Sequence, residues 1–173
     1  FTSANINSGS VTVTGNRWGR LGVAVLKSAS GTTLWSGECY NTHISGCIIT
    51  NKYWGHSEYL FAQTNGVNFH IGWSDAITST NAPTVCLQVA VTNGVLRLHA
   101  ACNSASVIGS NTHVVNTNLW YSFWIRGTNQ TAVVEAKTNG VSAWQDTITA
   151  TNIPAGTGVA MGFGAISFVR SEE

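Results

Sequence analysis

Charge is what this 173-residue chain lacks most: eight Lys plus Arg and seven Asp plus Glu leave only 9% of positions charged, where soluble domains usually carry about 25%. The net charge is +1 and no short window holds more than two basic residues. Nucleic-acid phosphates need a concentrated cationic footprint, so that class of partner is excluded, and electrostatic steering is weak. No apolar run approaches the ~18 residues of a membrane-spanning helix, so no span is expected. His43, His56, His70, His99 and His113 stand singly, and the cysteines are spaced by eight and sixteen residues where they are nearest, too far apart for a zinc knuckle. A Gly-x-Ser-x-Gly nucleophile turn and a glycine-rich phosphate loop between strand and helix are both missing. No segment of roughly ten residues or more has a convincing helical period, which points to an all-β chain. No cofactor and no metal is expected.

What remains is neutral and β-prone. Thr, Asn, Ser and Gly fill most polar positions, a composition suited to a surface kept soluble by uncharged groups or covered by neighbours. The length suits one domain burying roughly 70% of its unfolded surface. Residues 1–173 read as a single antiparallel β-sandwich, with 1–9 a flexible lead-in. Starting at Phe1 without Met or a basic-then-apolar leader, the chain is expected to be processed or cut from a longer protein.

The organising stretch runs from Asn118 to Val169. Alternation over Leu119 to Arg126 puts Tyr121, Phe123 and Ile125 on one face of a strand and Trp120, Ser122, Trp124 and Arg126 on the other. Rings on both faces predict a strand inside a sandwich, or one whose second face meets a partner. Gly127-Thr128-Asn129-Gln130 turns the chain into a strand at Thr131 to Lys137, and Asn139-Gly140 signals a type I′ hairpin. Strands at Ala143-Trp144 and Thr147 to Thr151, a stop at Ile153-Pro154 and a glycine-rich run into Ala165 to Val169 complete what reads as a meander.

Upstream, Thr-Asn-Gly-Val turns starting at residues 64 and 92 mark two further hairpins. With Thr92 facing Val95, Cys86 falls opposite Ala101 and Cys102 lies one residue out of register. The two sulfurs then point to opposite faces, and a disulfide between them needs a bulge. Cys39 and Cys47 are spaced to close a short loop; four buried free thiols are the competing reading. Strands are expected at Ser10 to Thr14, Leu21 to Leu26 and Thr33 to Ser36, with Trp18 in the first turn as a core or rim residue.

The densest mixture of rings and hydrogen-bonding groups lies between Asn51 and Tyr59, where Lys52, Tyr53, Trp54, His56, Glu58 and Tyr59 surround Gly55. Such a mixture suits a sugar, whose apolar face stacks on a ring while polar groups hold its hydroxyls. A loop whose rings cap one end of the sandwich is the plainer alternative. Trp54, His56 and Tyr59, together with Trp73 and Asp75 at the end of the next strand, are the candidate glycan contacts. Asp75 also suits the common task of satisfying turn amides.

An asparagine before Trp120-Tyr121 and its alternating strand, a polar turn, a Val-rich strand, Thr147-Ile148-Thr149, Asn152-Ile153-Pro154 and Gly162-Phe163-Gly164-Ala165 follow in that order. This order resembles the concanavalin A-like jelly-roll modules of bacteriophage tail fibres and other virion surface proteins. Ile71-Gly72-Trp73-Ser74-Asp75 is similar to a strand end in such modules. The resemblance spans Phe69 to Val169 and implies a jelly roll with a non-enzymatic role on a virion surface, as a tail-fibre module or capsid decoration. It further implies other virion proteins as neighbours, symmetric copies with a trimer expected, and contact with host surface polysaccharide. A secreted or cell-surface lectin and a jelly-roll glycoside hydrolase are the alternatives. Hydrolysis needs two carboxyl groups across a cleft. Of Glu38, Glu58, Asp75, Glu135, Asp146, Glu172 and Glu173, Glu135 lies on an expected strand, and no partner is evident on its neighbours.

Overall fold

The structure, a computed structural model, describes the backbone of residues 2–6, 10–17, 20–27, 36–41, 47–48, 52–61, 68–75, 84–102, 105–128, 130–150, 153–154 and 160–169, and within those ranges the side chains from 52 to 165. Among the described residues there is no helix. The strands are β1 (Thr2–Ile6), β2 (Ser10–Arg17), β3 (Arg20–Lys27), β4 (Ser36–Asn41), β5 (Cys47–Ile48), β6 (Lys52–Tyr59), β7 (Asn68–Ser74) and β8 (Cys86–Thr92). They continue as β9 (Val95–Cys102), β10 (Ala105–Ile108), β11 (His113–Val114), β12 (Tyr121–Thr128), β13 (Thr131–Thr138), β14 (Val141–Thr149) and β15 (Ala160–Val169).

The larger sheet has the order β1-β4-β15-β7-β8-β9-β10, with β5 on β15 and β11 on β9; the smaller is β14-β13-β12-β6, and β2 and β3 form a pair of their own. All the ladders are antiparallel. The chain is thus an antiparallel β-sandwich of the jelly-roll kind.

Period-two alternation builds the core. From the smaller sheet come Tyr53, Tyr121, Phe123, Ile125, Val134, Trp144 and Ile148; from the larger come Ile71, Trp73, Leu87, Val89, Leu98 and Phe163, all in one buried cluster. Removing this much aromatic and aliphatic surface from water is the main stabilising term. Rings meet edge-on, as Tyr53 with Trp73 at 5.7 Å and Trp73 with Phe163 at 5.3 Å. Two glycines make room for them. A Cβ on Gly55 would run into the Phe163 ring, and one on Gly127 into the Tyr53 ring.

The hairpins follow their turn residues. Asn93 and Gly94 have φ of 48° and 76°, and Asn139 and Gly140 have 51° and 80°, the positive pair that a type I′ turn requires. Thr92 faces Val95 and the ladder runs without a bulge to Cys86 opposite Ala101. Cys86 and Cys102 accordingly remain free, buried thiols, because the register turns their side chains to opposite faces. The side chains of Cys39 and Cys47, the residue Trp18 and the turn at 64–67 lie outside the described residues.

Several expectations are corrected. Thr2–Ile6, read as lead-in, pairs with β4, because backbone pairing needs no apolar pattern. Residues 52–59 are a strand and not a capping loop. The pieces expected at 143–144 and 147–151 join in β14. The meander ends at β14, for β15 crosses to the larger sheet and sits between β4 and β7. Finally, β12 is not enclosed on both sides within the sandwich: one face is in the core, while its second face, with Trp124 and Arg126, is exposed in this single chain.

Candidate functional site

Strand β6 supplies the first half of the site. Its odd-numbered positions, Tyr53, Gly55, Ser57 and Tyr59, turn inward, and Lys52, Trp54, His56 and Glu58 turn outward. Strand β12 supplies the second half from 66 residues away in sequence. Their antiparallel register sets Trp124 opposite His56, Arg126 opposite Trp54 and Ser122 opposite Glu58. Cross-strand partners stand about 5 Å apart at Cβ, so large side chains in these rows must touch.

Three rings consequently stack along the outer face. Trp124 lies against Trp54 at 5.9 Å and 24° on one side and against the His56 imidazole at 4.3 Å and 31° on the other. His56 is held in turn, its Nε2 lying 2.7 Å from Ser122 Oγ. Trp124 is 37% exposed and Trp54 is 63% exposed. Trp54 is thus the presented surface, backed by Trp124 and His56. An indole left this open to water, yet braced in one orientation, is apolar area that a flat group can cover at little cost in ordering. On the far side of β12, Glu135 faces Trp124, and Gln145 faces Glu135. Lys137 Nζ lies 3.4 Å from the Glu135 carboxylate.

Of the residues singled out from the sequence, Trp54 and His56 come together here. Tyr59 is on the same strand but leans inward, its ring 6.2 Å from Phe123. Trp73 is only 4% exposed and belongs to the core, since the alternation of β7 turns it toward Tyr53 and Phe163. Asp75 caps a turn: the Thr84 amide donates to its carboxylate at 3.1 Å, and the Thr84 hydroxyl donates to it as well. Neither is part of the ring stack. The residues that sequence reasoning did not attach to the site are Ser122, Trp124 and Arg126. Their signal was two polar residues alternating with Trp124 on one face of a strand, a pattern of solvent exposure.

A second polar group occupies the opposite sheet. On the face of β7, β8 and β9 turned away from the core, Gln88 is 2% exposed and its amide nitrogen donates to Nδ1 of His70 at 2.9 Å and of His99 at 3.4 Å. Each imidazole accepts at Nδ1, so each is the Nε2–H tautomer. Cys86 Sγ lies 3.6 Å from the same His99 nitrogen. Burial pushes the Cys86 thiol up to about 12, with the Asp75 carboxylate adding to the effect, so the sulfur stays a protonated donor. Burial also lowers the His99 pKa below its ordinary value. These features describe a closed hydrogen-bonded network and not a nucleophile.

The carboxylates are dispersed among the described residues. Glu58 and Glu135 lie on strands separated by β12, Asp75 caps its turn, and Asp146 is buried with one oxygen against Gly109.

The sequence matches no protein-family model and no curated protein. Among solved structures the chain is similar to a protein of unknown function, SO2946, from Shewanella oneidensis MR-1, at 15% identity and a TM-score of 0.69, over 96% of this chain and 69% of that one. It is more distantly similar to alginate lyase A1-II′ of polysaccharide lyase family 7, at 15% identity and a TM-score of 0.37 over 70% of this chain and 60% of that one. The CBM2 module of the evolved Dit of Lactobacillus casei BL23 phage J-1 has 12% identity and a TM-score of 0.44, over 98% and 84%. At 15% identity, the likeness to SO2946 speaks to the fold alone.

Proposed function

We propose that the chain is a non-enzymatic carbohydrate-contact module of a virion surface, with the outer face of the smaller sheet as its binding surface. The observation that carries this reading is Trp54, left 63% exposed while Trp124 and His56 hold it in place. A pyranose presents an apolar face that such an indole covers, and Ser122, Glu135 and Gln145 lie nearby to exchange hydrogen bonds with hydroxyls. The separation of the carboxylates favours binding over glycoside hydrolysis, which needs two of them facing one bond. The virion setting, association with other virion proteins and a trimeric assembly are taken from the sequence resemblance to phage surface modules.

A glycan array followed by titration calorimetry tests the reading. Trp54→Ala should weaken any bound glycan about tenfold or more, the loss typical of a central aromatic anchor. Trp124→Ala should weaken it less, since Trp124 acts by holding Trp54. Wild-type protein that binds no glycan, while Trp54→Ala dissociates an oligomer, would transfer the ring stack to a protein interface and overturn the proposal.

A further inference from the structure

We infer that the glycan taken by this face carries an oxyanion, a carboxylate or a sulfate or phosphate ester, and that Arg126 receives it. The inference rests on the carbohydrate reading and adds the ligand's charge. Arg126 stands directly across from Trp54 in the β6–β12 ladder, so its guanidinium rises from the same row as the presented indole. It is exposed, and its neighbour on the other side is the uncharged Val133. The carboxylate one step along β13, Glu135, is engaged by Lys137 at 3.4 Å. The rest of that row offers only Thr147 beyond Val133. In a chain with only 9% charged residues, a guanidinium beside the open aromatic ring is a specific feature of this surface.

The chemistry is that of a fork beside a floor. A sugar ring resting on Trp54 directs its equatorial substituents along the sheet, toward Arg126. A planar carboxylate there accepts two parallel N–H bonds, and a sulfate or phosphate ester offers oxygens at similar spacing. A neutral hydroxymethyl group at the same position offers a single oxygen and no charge, so it cannot match the two-pronged fork. The site therefore discriminates by charge through Arg126 and by shape through Trp54.

Binding of the intact protein to three oligosaccharide sets tests this: oligogalacturonides, sulfated galactan oligomers and neutral galactan oligomers, at low and at high salt. The expected result is a preference of about tenfold or more for one or both anionic sets, the size of one charge-assisted contact, shrinking as salt rises. Which anionic set wins tells a carboxylate from an ester. Arg126→Gln should equalise anionic and neutral binding with an unchanged near-UV spectrum, and Trp54→Ala should weaken all sets alike. An anionic preference that survives Arg126→Gln, or neutral binding that depends on Trp54 with no anionic preference, overturns this inference and leaves the carbohydrate reading standing. No binding of any glycan removes both.

Discussion

Gly140 and Gly127 would both resist replacement, and the costs have different causes. Gly140 has φ of 80° with nothing within 4 Å of where a Cβ would lie, so Gly140→Ala should cost only the left-handed backbone penalty, about 1 kcal/mol. Gly127 has no such backbone, yet its absent side chain is where the Tyr53 ring rests. Gly127→Ala overpacks the core and should cost about 1–3 kcal/mol. Urea denaturation of both variants checks the order; equal losses would mean that Tyr53 moves aside freely. The need for Gly140 was legible in the Asn-Gly pair. That for Gly127 was not, since it arises from a ring on a neighbouring strand. Cys86 is a similar case. Its register and its failure to bridge to Cys102 followed from a turn, whereas its pKa of about 12 comes from burial in a sheet. Intact-mass measurement after iodoacetamide treatment should find Cys86 unmodified until denaturant is added.

Among elements, β9 and its partner β11 hold the pH response, through His99 on the face away from the core and His113 beside Tyr121. Burial lowers the pKa of His99, and to the same effect that of His113 on β11, below the ordinary 6.5. The unfolded chain takes up protons as pH falls through that value, while the folded chain does so only at lower pH. Proton uptake therefore favours the unfolded state, and stability falls on acidification, levelling once the folded-state values are passed. The urea midpoint should be higher at about pH 7 than at about pH 5, in the range where free imidazole titrates. His99→Gln should flatten that dependence, and a slope unchanged by the variant would assign it elsewhere. Strand β6 shows why this level was only partly readable. Its alternation is regular, but Gly55 and Ser57 occupy inward positions where an apolar residue would have marked the buried face. Trp54 occupies an outward one. Hydrophobic pattern alone therefore favoured a loop, and pairing with β12 made it a strand.

At the level of the whole molecule, β15 closes the larger sheet, standing between β4 and β7 and contributing Met161, Phe163 and Ala165 to the core. Removing residues 160–173 should leave two unjoined sheet fragments and no cooperative unfolding transition. Near-UV circular dichroism and amide exchange check this, and a truncated chain with native spectra would show that β15 is dispensable. The sequence by itself determined the all-β class, the type I′ turns at 93–94 and 139–140, the register of the β8–β9 hairpin and the inward face of β12, because period-two alternation and positive φ at Asn-Gly are properties of neighbouring residues. Tertiary structure decided that β6 lies beside β12 and that β15 crosses between sheets. Those pairings depend on how side chains far apart in the chain fit together, which no local period records. The contact of Trp54 with Trp124, and the place of Arg126 next to it, exist only through that fit.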